Sequence, residues 1–166
     1  YHFGRLYEKG YGVFGRDKKA LAWYRKAAEQ GHVDAQLALG KRYEEGRGVA
    51  KSREEALLWY RKAAEQGCVE LQCKLAKMYE YGDKAPQDYT EAIKYYRMAA
   101  EQGHGDAQYR LGRICKEGLG IPKDLEMAYM WFYLAEMSGG CSGYLYDLEG
   151  KGLFKSPKLS SEEIAR

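Results

Sequence analysis

A chain of 166 residues, 45% hydrophobic and 31% charged, carries enough apolar mass for one ordinary globular domain, and its net charge is only +3. Its lysines and arginines lie close to glutamates, which excludes the clustered basic face of a nucleic-acid binder. The longest apolar run, Ala128 to Ala135, is too short to cross a bilayer, so membrane insertion is excluded as well.

Tyr1 falls inside an amphipathic helix that lacks its opening turn. The chain is therefore expected to be a piece of a longer array, whose uncapped N-terminal repeat offers a surface for self-association. The turn Gly10-Tyr11-Gly12-Val13 follows, then a second helix carrying Trp23-Tyr24 and Ala27-Ala28-Glu29-Gln30-Gly31. The aromatic pair returns as Trp59-Tyr60, Tyr95-Tyr96 and Trp131-Phe132, each time after 36 residues, and the Ala-Ala-Glu-Gln-Gly block returns with it. A fixed period of this size marks a repeat array, and such arrays present surfaces to partners more often than they build catalytic centres.

The unit over residues 31–66 is the most complete. Its first helix is predicted over Val33 to Glu45, with Ala35, Leu39 and Tyr43 as an apolar stripe and Gly46 as its stop. Gly40 lies beside that stripe and recurs as Gly4 and Gly112, with Ala76 in the third unit. A small residue kept inside a helix points to close packing against a neighbour. The loop Gly46-Arg47-Gly48-Val49 lacks the lysine and the strand of a phosphate loop, and reads as a tight helix-to-helix turn plugged by Val49. Ser52 with Glu55 forms a capping box opening the second helix, whose buried face is Ala56, Trp59, Tyr60, Ala63 and Ala64.

The unit over 67–102 departs most, with Leu71 for the small Ala, Ala76 for Gly and Lys84 for the second loop Gly. Asp88 and Glu91 repeat its capping box. In the unit over 103–138, Asp124 caps a second helix of unusual apolarity, Met127 to Met137. Residues 139–166 read as a degenerate repeat and C-terminal cap, with a turn at Lys155-Ser156-Pro157-Lys158 and a last helix from Leu159. With no period-two alternation anywhere, the fold class is all-α: helix pairs stacked into a right-handed α-α superhelix. The whole is expected to be one repeat domain, with residues 1–30 a partial repeat.

Asp-Ala-Gln-x-x-Leu-Gly-x-x-Tyr-x-x-Gly-x-Gly-Val followed by Ala-x-x-Trp-Tyr-x-x-Ala-Ala-x-x-Gly resembles the Sel-one-like repeat family, which is related to tetratricopeptide repeats but has a longer inter-helix loop. The period here against about 34 residues in the tetratricopeptide unit agrees with that distinction. The resemblance implies a non-enzymatic scaffold or adaptor that binds a protein or peptide on a curved helical surface. A cysteine-rich branch of the family, linked to penicillin binding and β-lactam hydrolysis, is one alternative, but its cysteine pair per repeat is missing here. A structural spacer within a larger protein is the other.

The candidate site is one basic residue per first helix: Arg5, Lys41, Lys77 and Arg113. In related helical repeats these helices line the concave groove, where the four would stand at roughly the 8–10 Å inter-helix spacing. Such a ladder suits an acidic or extended peptide, with Tyr109 and Arg110 as further anchors. Against it stand Glu8, Glu44 and Glu80, three residues on, which would neutralise the first three bases; Arg113 has Glu117 four away. His32 and His104 recur at a turn without metal-ligand partners, and no nucleophile motif is present, so no metal, cofactor or catalytic residue is expected. Cys68, Cys73, Cys115 and Cys141 occupy unrelated repeat positions and read as thiols, which favours a reducing compartment. A Cys115–Cys141 bridge is the one pairing left open.

Overall fold

The computed structural model describes residues 1–9 and 16–139, and among them there are eight helices and no strand. In order they are α1 (His2–Lys9), α2 (Arg16–Glu29), α3 (Val33–Glu45), α4 (Arg53–Glu65), α5 (Val69–Tyr81), α6 (Tyr89–Glu101), α7 (Gly105–Glu117) and α8 (Leu125–Met137). The turn expected over 10–13, the C-terminal cap expected beyond Gly139, and Cys141 lie outside the described residues. The chain divides into two compact units, Tyr1–Ala99 and Ala100–Arg166. In the first, α1 packs on α2, α2 on α3, α3 on α4 and α4 on α5; in the second, α7 packs on α8.

Helix ends follow the local chemistry expected of them. Ser52 Oγ accepts the Glu55 N–H at 3.2 Å, Asp88 Oδ1 accepts those of Thr90 and Glu91, and Asp124 Oδ1 accepts that of Met127. The return half of the Ser52 box differs from expectation: the hydroxyl donates to the Glu54 carboxylate at 3.1 Å. At the other end Gly46 closes α3 in the left-handed region, its N–H bonded to the Arg42 carbonyl. His104 caps α7 by accepting the Ala107 N–H, which gives that histidine the structural role its turn position implies.

The small residue inside each first helix has a direct physical reason. A Cβ on Gly40 would stand 2.4 Å from the Tyr60 ring, one on Gly112 2.7 Å from Phe132, and one on Gly4 2.8 Å from Tyr24. In these three repeats the second aromatic of the pair thus packs against the glycine of its own repeat's first helix. Tyr24, Tyr60, Tyr96 and Phe132 are accordingly buried. The first aromatic is less uniform. Trp59 and Tyr95 are buried, but Trp23 is 40% exposed, stacked on the exposed Phe3. Trp59 and Tyr60 are both buried as their helix face implies, but across the repeats only the second ring of the pair is covered every time.

A buried glutamine ties successive helices together. Gln36, Gln72 and Gln108 each donate Nε2 to a carbonyl near the end of the preceding helix, at Ala28, Ala64 and Ala100. Those carbonyls lie in the last turn, where each also accepts the N–H of the glycine that follows the helix, so the glutamine supplies a second donor and ties the next helix to that end. The Asp-Ala-Gln motif is a joint between helices. Cys73 and Cys115 are buried core fillers, the latter packed with Ala128 and Phe132.

Candidate partner-binding surfaces

Two of the four expected basic residues come together. Arg5 and Lys41 line one cleft of about 220 Å³, with Leu37, Ala38 and Tyr24 as its apolar wall and Asp34 and Glu45 as its acidic members. Both bases are exposed. Lys41 makes no ion pair among the described residues, while Arg5 sits 6.0 Å over the Tyr1 ring. Lys77 is half-buried on α5 and does not line that cleft. Arg113 belongs to the second unit, where its Nε lies 3.8 Å from Glu117. Arg110, also there, pairs with Asp106, and the Tyr109 ring packs against Phe132 at 5.6 Å. Tyr109 therefore contributes to the core as well as to the surface.

The local neutralisation expected of Glu44 is not what forms. Its Oε2 accepts the Tyr60 hydroxyl at 2.6 Å and Lys74 Nζ at 2.8 Å, and its Oε1 accepts Lys84 Nζ at 2.5 Å. Magnitudes explain the choice. A surface Lys–Glu pair contributes about 0–1 kcal/mol, whereas a buried hydroxyl without an acceptor costs about 1–3 kcal/mol. Tyr60 is fully buried, so Glu44 turns inward to it and leaves Lys41 to solvent. Burial on its own would raise the Glu44 carboxyl, but hydrogen bonds from Lys74, Lys84 and Tyr60 outweigh it and hold the group at about 2. The Tyr60 phenol is pushed far up, first by burial and then by that carboxylate.

The third unit repeats the inward turn: Glu80 is buried and accepts the Tyr96 hydroxyl at 2.5 Å. A second inter-repeat contact recurs beside it, Arg25 with the Tyr43 hydroxyl and Arg61 with that of Tyr79. Among the described residues one cation is buried, and it belongs to the second repeat. Arg42 stacks over Tyr24, bonds Asp17 at 3.1 Å and reaches the Arg47 carbonyl. It locks the second repeat's loop to the start of α2, where a Cβ on Gly48 would come within 2.8 Å of the Asp17 backbone. Among the described residues no group of three or more His, Cys, Asp and Glu is placed to hold a metal ion, and no helix is long and apolar enough to cross a membrane.

The Sel1 repeat model matches four consecutive segments, residues 1–32, 33–68, 69–104 and 105–140. The chain belongs to the Sel1 repeat family. Among solved structures it is similar to a Sel1 repeat protein from Oxalobacter formigenes, at 37% identity and TM-score 0.75, covering 91% of this chain and 63% of that one. A protective antigen of uropathogenic Escherichia coli strains with an SLR fold is 36% identical at TM-score 0.72, covering 91% of this chain and 33% of that one. This Sel1 repeat chain thus spans less than two thirds of the first and a third of the second. Helicobacter pylori cysteine rich protein B, 24% identical with TM-score 0.53 over 87% of this chain and 100% of that one, shares the fold. Comparison with curated proteins yields no match. Sel1 repeats are in general non-catalytic helical modules of protein interaction.

Proposed function

We propose that this Sel1 repeat chain is a non-catalytic scaffold or adaptor that holds an acidic, extended segment of a partner protein against its first helices. The carrying observation is the cleft shared by Arg5 and Lys41, where the Glu44 carboxylate that local spacing offers to Lys41 is spent on Tyr60, Lys74 and Lys84. A lysine whose spacing-matched carboxylate is engaged elsewhere, with an arginine in the same cleft and an apolar wall beside them, suits charge-assisted hydrogen bonds to acidic side chains, with apolar neighbours packed between them. Lys77 extends the same helix-face register in the first unit. Arg113 is the counterpart of Lys77 in the second unit, and with Tyr109 and Arg110 on the same helix it is a separate candidate contact there.

The test is capture of partners from a lysate by the immobilised chain, followed by titration of the captured protein. Reversal of Arg5, Lys41, Lys77 and Arg113 to Glu should weaken binding by about tenfold or more and flatten its dependence on salt. Unchanged affinity in the fourfold reversal would exclude this face.

A further inference from the structure

A second cleft lies in the first unit, with Glu44 among its lining residues. It encloses about 160 Å³ and is lined by Ala56, Leu57, Met78 and the Tyr60 ring, with Lys51, Arg53 and Lys84 around Glu44 at its mouth. A volume near 150 Å³ holds a benzene-sized group, so this cleft fits one side chain and is too small for a cofactor.

Its charge is not a demand of the repeat. Lys51, Arg53 and Lys84 stand where the preceding repeat junction has Gly15, Asp17 and Gly48, and where the following one has Gln87, Tyr89 and Gly120. Lys84 is the more telling of the three. It is the one described non-glycine residue with positive φ, at 64°, where Gly48 and Gly120 adopt 73° and 71°. A side chain there costs about 1–2 kcal/mol, and such strain persists where the surroundings hold it and a site makes use of it. Lys51 and Arg53 make no ion pair among the described residues. Lys74 and Lys84 bond the Glu44 carboxylate while Lys51 and Arg53 line the same cleft, so four cations stand against the three carboxylates of Glu44, Asp83 and Glu54, an excess of one. The Glu44 hydrogen bond and Asp83 favour the charged form of Lys84, and Arg53 opposes it, which places the two cations within each other's field.

We infer that this cleft is a pocket for a single glutamate side chain of a partner peptide, its methylenes against Leu57 and Met78 and its carboxylate between Lys51, Arg53 and Lys84. The charge excess calls for an anion, and the apolar floor calls for one carried on a short aliphatic stem. The pocket is separate from the Arg5–Lys41 cleft, so the two can fail independently.

Fluorescence anisotropy with labelled Gly-Ser-Leu-Glu-Leu-Ser-Gly, its Gln counterpart and its phosphoserine counterpart tests the assignment on the full chain. The Glu peptide should bind about tenfold more tightly than the Gln peptide, the worth of one charge-assisted contact pair. Lys51→Glu with Arg53→Glu should abolish that preference. Lys84→Gly should weaken binding severalfold without lowering the melting temperature, since glycine relieves the positive-φ strain and offsets the lost Glu44 pair. Arg5→Glu with Lys41→Glu should leave the tenfold preference for Glu over Gln in place. Equal binding of Glu and Gln peptides, a stronger phosphoserine complex, or loss of binding only in the Arg5/Lys41 variant would each overturn the pocket.

Discussion

The α3–α4 pair and the α7–α8 pair are the same machine with one part changed. In both, an aromatic ring lies on a glycine of the first helix: Tyr60 on Gly40, Phe132 on Gly112. In the first, the ring's hydroxyl is bonded to Glu44. In the second, the ring has no hydroxyl and the residue at the glutamate's place is Lys116. Both halves of the polar contact change together, and the packing stays. The apolar joint is therefore the repeat's requirement, whereas the carboxylate network is local and free to serve recognition.

The largest effect should come from the joint itself. Alanine normally improves a helix by about 1 kcal/mol over glycine. At Gly40 its methyl would overlap the Tyr60 ring, and overpacking of this kind costs about 1–3 kcal/mol, so Gly40→Ala should be net destabilising. Gly112→Ala should lose less, because its contact is slightly longer. Urea unfolding of the two variants compares them directly, and a gain in stability at either site would break the equivalence.

A smaller effect separates the polar halves. Tyr60→Phe removes two hydrogen bonds, one donated to Glu44 and one accepted from Lys74, and should cost about 1–2 kcal/mol. Phe132→Tyr buries a hydroxyl without its carboxylate and should destabilise, while adding Lys116→Glu should recover part of the loss. A double-mutant cycle on Lys116 and Phe132 should show favourable coupling of about 0.5–2 kcal/mol. Zero coupling would mean that the carboxylate–phenol pair cannot be transplanted between repeats.

The remaining effect appears only in acid. The Glu44 carboxyl is held at about 2 against an ordinary 4.5, so the folded state binds its proton less readily than the unfolded chain. Its stabilisation is complete above pH 4.5 and is lost as pH falls toward 2, amounting to roughly 1–2 kcal/mol once solvent screening of a partly exposed group is discounted. Glu44→Gln should lack that segment of the pH–stability curve. An identical acid limb in the variant would assign the sensitivity to other carboxylates.

Helix positions were legible because their causes are local. Val33 to Glu45 is bounded by a turn histidine and a left-handed glycine, and Ser52, Asp88 and Asp124 accept N–H groups two or three residues on, all within one turn of chain. The glycine–ring joint was half legible: the small residue recurs visibly, but its partner, twenty residues on, appears only when the helices pair. The candidate site was read less well. Local spacing gave Glu44 to Lys41, whereas its partners Lys74 and Lys84 are 30 and 40 residues away. What the sequence by itself determined is the repeat: its period, its helix ends and its Sel1 identity, all consequences of interactions within a few turns. Only the tertiary structure decided which charges face solvent, because a buried phenol outbids a surface lysine for a carboxylate, and burial is a property of the packed chain.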